Sequence, residues 1–322
     1  MRHSVDDGAV LGPKVRESRS PVAVSRRLRW AVMGLAFAGS GCAPGVLDPV
    51  GPVGAAQRTI LLNSVGIMLC VVVPVIIATI VIAWWFRSTN RRARYMPGFV
   101  YSGRLEALIW AIPVLVVLFL GGIAWIGAHD LDPAKPLSSK GKPIEIQVVS
   151  LDWKWLFIYP EAGVASVNRL VLPVGRPVHF RLTSSSVMNA FFVPRLGSMI
   201  YTMNGMETQL NLQADVEGRY IGQSSQFSGD GFAGMRFNTD VVSQDAFDKW
   251  AATVRSNGPV LDHAAYARLA KPQGNVAPFS YSAVAPSLFD GILTHMVGED
   301  AHALEATTFV VPKPTHASME KK

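Results

Sequence analysis

Cysteine is almost missing from this chain of 322 residues: there are two, Cys42 and Cys70. Cys70 lies inside a long apolar run and Cys42 ahead of it, so no disulfide framework is available. Histidine is scarce too. Of the seven, only His179 falls in a region of alternating residues, Val178-His179-Phe180-Arg181-Leu182, which places it on the polar, solvent-facing side of a strand rather than in a ligand set. His295, His302 and His316 are too scattered to form a metal site. Charge is absent from two stretches, the 27 residues from Ile60 to Phe86 and the 22 from Ala107 to Ala128. The positive excess behind the net charge of +7 lies in residues 1–41 and 87–104, while residues 129–242 are balanced. A basic chain whose excess charge lies outside its soluble part does not present a nucleic-acid surface.

The charge-free stretches are what the chain has instead. As helices they measure about 40 and about 33 Å, enough to cross a hydrocarbon core of about 30 Å. Trp84 and Trp85 end the first, and Trp110 and Trp125 stand near the two ends of the second, as interfacial anchors do. Pro74 and Pro113 do not veto the spans, because neighbouring helices satisfy the freed carbonyls. The connection carries Arg87, Arg91, Arg92, Arg94 and Arg104 and no acid, which assigns it to the cytoplasm and both outer ends of the hairpin to the periplasm. The short apolar run Trp30 to Gly41, after Arg26, Arg27 and Arg29, has the dimensions of a signal segment, so residues 1–41 are expected to be a leader. The string Ala38-Gly39-Ser40-Gly41-Cys42 resembles a lipoprotein processing site, which makes Cys42 a lipid-anchor candidate. A plain cleaved signal followed by a free thiol is the alternative.

After Asp132-Pro133-Ala134-Lys135-Pro136 the pattern changes to alternation. Ile144, Ile146 and Val148 share one strand face, and Trp153, Trp155, Phe157 and Tyr159 another. Further strands are expected at residues 169–172, 178–183, 190–193, 208–212, 218–222 and 235–241, and short strands at this spacing argue a β-sandwich over residues 129–242. Ser243 is placed to cap a helix with Phe247, Trp250 and Val254 on one face. Two shorter helical patches follow near 261–269 and 286–297, within a C-terminal extension of residues 243–322 whose last twenty or so residues read as a mobile tail.

Two strings carry a family resemblance. They are Val187-Met188-Asn189-Ala190-Phe191-Phe192-Val193-Pro194 and the run Tyr220 to Met235, ending Phe227-Ser228-Gly229-Asp230-Gly231-Phe232-Ala233-Gly234-Met235. They resemble subunit II of the haem-copper oxidases, and within that superfamily the cytochrome bo-type ubiquinol oxidases. The resemblance implies an α+β membrane protein: a two-helix transmembrane hairpin, a cupredoxin-like Greek-key β-sandwich and a short helical C-terminal extension. It also implies that a binuclear copper loop has lost its ligands. Ser224 and Ser228 stand at the bridging cysteine positions, Gln226 at the glutamate, Phe232 and Asn189 at the two histidines, and Met235 alone is retained. Hydroxyls, carboxamides and a phenyl ring are poor copper ligands or none, so no metal is expected here and Met235 reads as a packing residue. Trp153, in Leu151-Asp152-Trp153-Lys154-Trp155, resembles the aromatic patch that receives electrons from cytochrome c. With no copper to feed, Trp153 and Trp155 read as packing.

A carboxylate at a membrane boundary is a functional candidate, and Glu106 is the only acid between Leu61 and Ala128. The resemblance places it near the mouth of a proton-uptake channel of the large subunit; otherwise it is a helix-start carboxylate favoured by the dipole. The expected role is a non-catalytic subunit of a proton-pumping quinol oxidase in the bacterial inner membrane. Haems and copper would lie in subunit I, the partners would be subunit I and the smaller oxidase subunits, ubiquinol would reach it only through the complex, and cytochrome c would not take part. A membrane-anchored assembly module on a degenerate cupredoxin is the second reading, and a cytochrome c oxidase subunit with unusual ligands the third.

Overall fold

The computed structural model describes residues 45–94, 96–138 and 141–295. Residues 1–41, Cys42 and the residues beyond 295 lie outside the described residues. Helix α1 spans Pro52–Trp85 and α2 spans Gly103–Asp130. Proline opens α1 without cost, since the N–H it lacks would have no helical partner there. Pro74 and Pro113 are carried inside the helices. The two helices approach closely at Gly127, where a Cβ would come within 2.8 Å of Ile60 Cδ1. Elsewhere their apolar side chains face outward: Ile80 is 63% exposed and Val117 69%. Such a surface needs lipid or partner helices as its solvent.

Helix α1 starts eight residues before the charge-free run, and the reason is packing. Its first turn is built into the sandwich. The Val50 N–H donates to the Arg195 carbonyl (2.8 Å), the Gly54 N–H to the Leu196 carbonyl (3.0 Å), and the Asp215 N–H to the Val50 carbonyl (2.7 Å). A Cβ at Gly51 would overlap the Gln213 carbonyl, so this approach requires glycine. Arg195 pairs with Asp48 at 2.5 Å and lies 4.9 Å over the Tyr220 ring. At the other end of the hairpin, Asn211 holds the connector through its N–H and Nδ2 on the Pro133 carbonyl (2.9 and 3.2 Å). Both ends of the hairpin are thereby fixed to one side of the sandwich.

The strands are β1 (Ile144–Leu151), β2 (Lys154–Tyr159), β3 (Val164–Val167), β4 (Arg169–Pro173), β5 (Pro177–Ser184), β6 (Asn189–Phe192), β7 (Ile200–Thr202), β8 (Thr208–Gln213), β9 (Gly218–Ser224) and β10 (Arg236–Val242). A C-terminal segment adds α3 (Gln244–Ser256), β11 (Val260–Leu261), α4 (His263–Leu269), β12 (Phe279–Tyr281), β13 (Ala283–Val284) and α5 (Leu288–Leu293). One sheet has the order β12-β3-β2-β1-β5-β8, the other β4-β10-β9-β6-β7. The parallel pairs β1–β5 and β4–β10 mark crossings between sheets, as a Greek-key sandwich requires. Between the sheets lies an aromatic core of Trp155, Phe157, Phe180, Phe191 and Phe237, with Phe191 and Phe237 stacked at 5.4 Å.

Strand β2 is buried on both faces. Trp155, Phe157 and Tyr159 point into the sandwich as their alternation predicts, whereas Leu156 and Ile158 point outward under the C-terminal segment. Trp153, just ahead of the strand, is partly buried against the same inner core, and its indole also reaches a loop beside it. The outer layer is a second core in which Leu261, Tyr266, Leu288, Phe289 and Ile292 cover Val149, Leu151, Leu156 and Ile158. Burying each such side chain is worth about 1.5–3 kcal/mol, which holds helices too short to persist alone. Ser243 caps α3 by accepting from the Ala246 N–H (3.3 Å), and Phe247 and Trp250 pack on Tyr159. Strand β12 pairs with β3, so the first sheet takes its edge strand from beyond residue 242.

Candidate functional site

The antiparallel pairing of β6 with β9 brings Asn189 and Ser224 together. Ser224 Oγ lies 3.1 Å from Asn189 Oδ1 and 3.2 Å from the Gln226 carbonyl, within donating reach of either, and it accepts from the Ala190 N–H at 3.4 Å. The neck of the following loop is closed by the Ser224 N–H on the Met235 carbonyl (3.1 Å) and by the Ser225 N–H on the Ala190 carbonyl (3.1 Å). A 3₁₀ turn at Phe232–Gly234 brings the chain back. Met235 is 1% exposed, with Ser228 Oγ 4.0 Å from its sulfur. Phe232 packs edge-on against Phe227 at 5.6 Å. Asn189, Ser224, the Gln226 backbone, Ser228 and Met235 therefore converge, while the side chain at Phe232 belongs to an aromatic pair beside them.

What meets at this point is two hydroxyls, a carboxamide, a peptide carbonyl and one thioether. That set does not fit a copper pair, for which soft thiolates and imidazoles are the effective ligands. Among the described residues no three of His, Cys, Asp and Glu gather as a metal set. His179 is half-buried on β5 with Nδ1 3.0 Å from Asn211 Oδ1, on the sheet that does not carry the loop.

Three neighbours of the loop were not legible as such. The Trp153 indole Nε1 donates to the Ser228 carbonyl at 2.7 Å, and a Cβ at Gly231 would overlap its ring. The run Ser228-Gly229-Asp230-Gly231 is the sequence trace of this contact, since Gly229 takes φ +100° and Gly231 must be bare. Lys154, the next residue, is 1% exposed, and its Nζ donates to the carbonyls of Asp152 (3.0 Å) and Lys271 (2.8 Å). Burial lowers its pKa from the ordinary lysine value, and the Asp152 carboxylate acts in the opposite direction. Asp152 itself accepts from Ser186 Oγ, and its carbonyl accepts from the Gln273 N–H at 2.9 Å. The segment 271–275 thus reaches the loop from the C-terminal side, where Asn275 lies against Gly234.

Glu106 is elsewhere. It stands exposed in the first turn of α2, with its N–H on the Ser102 carbonyl at 3.0 Å. The 28 residues of α2 put about 42 Å between that end and the connector to the sandwich. The ligand loop and Glu106 form two separate sites.

Residues 146–242 match the family described as cytochrome c oxidase subunit II, periplasmic domain, and residues 255–299 match the aromatic-rich motif of the same oxidases. The chain is 46% identical to the cytochrome bo(3) ubiquinol oxidase subunit 2 of Pseudomonas aeruginosa, over 83% of this chain and 81% of that one. It is 48% identical to the ubiquinol oxidase subunit 2 of Acetobacter aceti, over 79% and 83%. Among solved structures, the periplasmic domain of subunit II of cytochrome oxidase of Bradyrhizobium japonicum is 26% identical, covering 36% of this chain and 96% of that one, with a TM-score of 0.34. The chain belongs to the family of ubiquinol oxidase subunit 2.

Proposed function

We propose that this subunit carries no copper and is non-catalytic, and that quinol delivers electrons directly to the haems of subunit I, where oxygen is reduced to water. Two quinols supply the four electrons and four protons that convert one oxygen molecule to two waters. Direct delivery removes the need for a relay through the sandwich. The observation that carries the reading is the donor set itself: hydroxyl at Ser224 and Ser228, carboxamide at Asn189, phenyl at Phe232, and one thioether already buried at Met235. The haems and the remaining copper are assigned to subunit I, and the smaller oxidase subunits complete the complex. Cytochrome c has no role, and Trp153 is tied to the loop as a packing residue.

The same reading places the hairpin in the bacterial inner membrane with the arginine-rich connection in the cytoplasm and the sandwich in the periplasm. It assigns Cys42 to an acyl anchor at the periplasmic surface. Glu106, at the cytoplasmic end of α2, would feed protons toward the large subunit. For that role, Glu106→Ala is expected to slow quinol turnover in a complex that stays assembled, and normal turnover with normal proton pumping would contradict it. The wider proposal is tested by copper and haem analysis of the complex purified through a tag on this chain. Copper in subunit I alone is the expected result, and a second copper site dependent on Met235 would overturn it. A tagged chain that brings down no haem protein would favour an assembly module.

A further inference from the structure

The connection between α1 and α2 is ordered by its own hydrogen bonds. Asn90 organises it: its Nδ2 donates to the Trp85 carbonyl (2.6 Å), its Oδ1 accepts from the Arg92 N–H (3.1 Å), and its own N–H donates to the Arg87 carbonyl (2.9 Å). Arg87 is held in turn, with Nε on Thr89 Oγ1 at 3.0 Å and the guanidinium 4.7 Å from the centre of the Trp84 ring. Around this turn opens a cavity of about 780 Å³ whose wall includes Arg87, Arg92 and Arg94 together with Trp85, Phe86 and Phe99. Arg91, between them in sequence, does not line it.

The chemistry of the wall selects a ligand. No acidic residue occurs between Asp48 and Glu106, so the cavity wall carries three guanidiniums and the connection no carboxylate to neutralise them. Guanidinium presents a planar donor fork that matches phosphate oxygens. The rest of the wall is aromatic and apolar, which suits a phosphate ester bearing hydrocarbon. The cavity also lies where two membrane-spanning helices end, at the depth of lipid headgroups, and basic pockets there gain from the anionic surface. We propose that this cavity binds the headgroup of an anionic phospholipid, with Arg87, Arg92 and Arg94 on the phosphate and Trp85, Phe86 and Phe99 along the glycerol and the first acyl carbons. The proposal rests on the membrane placement of the hairpin given above.

The test is native mass spectrometry of the intact, delipidated complex titrated with phosphatidylglycerol, phosphatidylcholine or soluble glycerol 3-phosphate. The wild-type complex is expected to hold one phosphatidylglycerol at least about tenfold more tightly than phosphatidylcholine, with glycerol 3-phosphate failing to displace it. Replacing all three arginines (Arg87→Gln, Arg92→Gln, Arg94→Gln) should remove one tightly held lipid, with a loss of up to about a hundredfold in affinity if each arginine counts as it does near an anionic membrane surface. The corresponding lysine variant keeps the charge that orients the loop but loses the fork, and is expected to fall between. Arg91→Gln should bind as wild type. Unchanged lipid retention in the glutamine and lysine variants would overturn the proposal. So would displacement by glycerol 3-phosphate, which marks a free-phosphate site, or loss of subunit I from the lysine variant, which marks a protein contact. A chain that copurifies with no oxidase subunit yet binds phosphatidylglycerol with the same arginine dependence would sink the oxidase reading and leave this site standing.

Discussion

The ligand loop, Ser224 to Met235, and the C-terminal segment from Asn257 to His295 meet on either side of Asp152-Trp153-Lys154, and they are held there by different forces. The loop is closed by neutral groups: two backbone hydrogen bonds at its neck, the Trp153 indole on the Ser228 carbonyl, and glycines that let the ring lie flat against it. The C-terminal segment is held by buried apolar area and by cations, Lys154 on the Lys271 carbonyl and Arg181 on Asp290 at 3.3 Å with its guanidinium over the Phe289 ring. A loop closed by its backbone does not need a metal to keep its shape. On the other side, the C-terminal layer is held by the burial of its apolar side chains against β1 and β2.

The sharpest way to probe that contrast is to restore the donors. The five changes Asn189→His, Ser224→Cys, Gln226→Glu, Ser228→Cys and Phe232→His, with Met235 unchanged, are expected to give a chain that takes up copper in proportion to protein, measured by metal analysis. Failure to bind would mean that the loop does not offer the frame a copper pair requires. Next in size is Trp155→Ala in the inner core, where the ring is fully buried and contacts Phe191 and Phe237 at 5.6 Å. Its cost should be about 3–5 kcal/mol, with a fall in melting temperature and loosening of both regions together.

A finer division follows from adjacent residues. Trp153→Ala should cost about 1–2 kcal/mol through one hydrogen bond and partial burial, and limited proteolysis should cut first between Ser225 and Gly234. Lys154→Met should instead expose the segment after Leu269, because the Lys271 carbonyl loses its donor. Since burial lowers the Lys154 pKa, the unfolded chain holds that proton more tightly, and wild-type stability rises as pH climbs toward 10.5. Methionine should abolish that alkaline rise.

The smallest effect concerns acid. The Arg181 hydrogen bond holds Glu207 below its ordinary pKa of 4.5, so the pair stabilises the fold above that value and the contribution is lost as pH falls below it. Arg181→Met should flatten this acid dependence in a denaturation series between pH 6 and about pH 3.

Much of this was legible from local pattern. The hairpin announced itself through missing charge, and the inner faces of β1 and β2 through alternation at Ile144, Ile146, Val148, Trp155, Phe157 and Tyr159. The outer core was not, because Leu156 and Ile158 complete a continuous apolar run whose second face has no periodic signal until its cover is known. Lys154 was hidden for the same reason: a lysine between two tryptophans reads as solvent-facing, and only the carbonyl of Lys271, 117 residues away, makes its burial tolerable. Strands β3 and β7 are four and three residues long, too short to leave a period. The extra turns at the start of α1 follow from backbone contacts with residues near 195 and 215, which no local window contains.

The proposed function requires that electrons reach oxygen without passing through this chain. Its most direct test is oxygen uptake by the complex purified through a tag on this subunit, with a ubiquinol analogue or reduced cytochrome c as the sole donor. Uptake is expected with quinol, and none above background with cytochrome c. Sustained uptake with cytochrome c would contradict the proposed function, and would mean that the loop between Ser224 and Met235 still carries current.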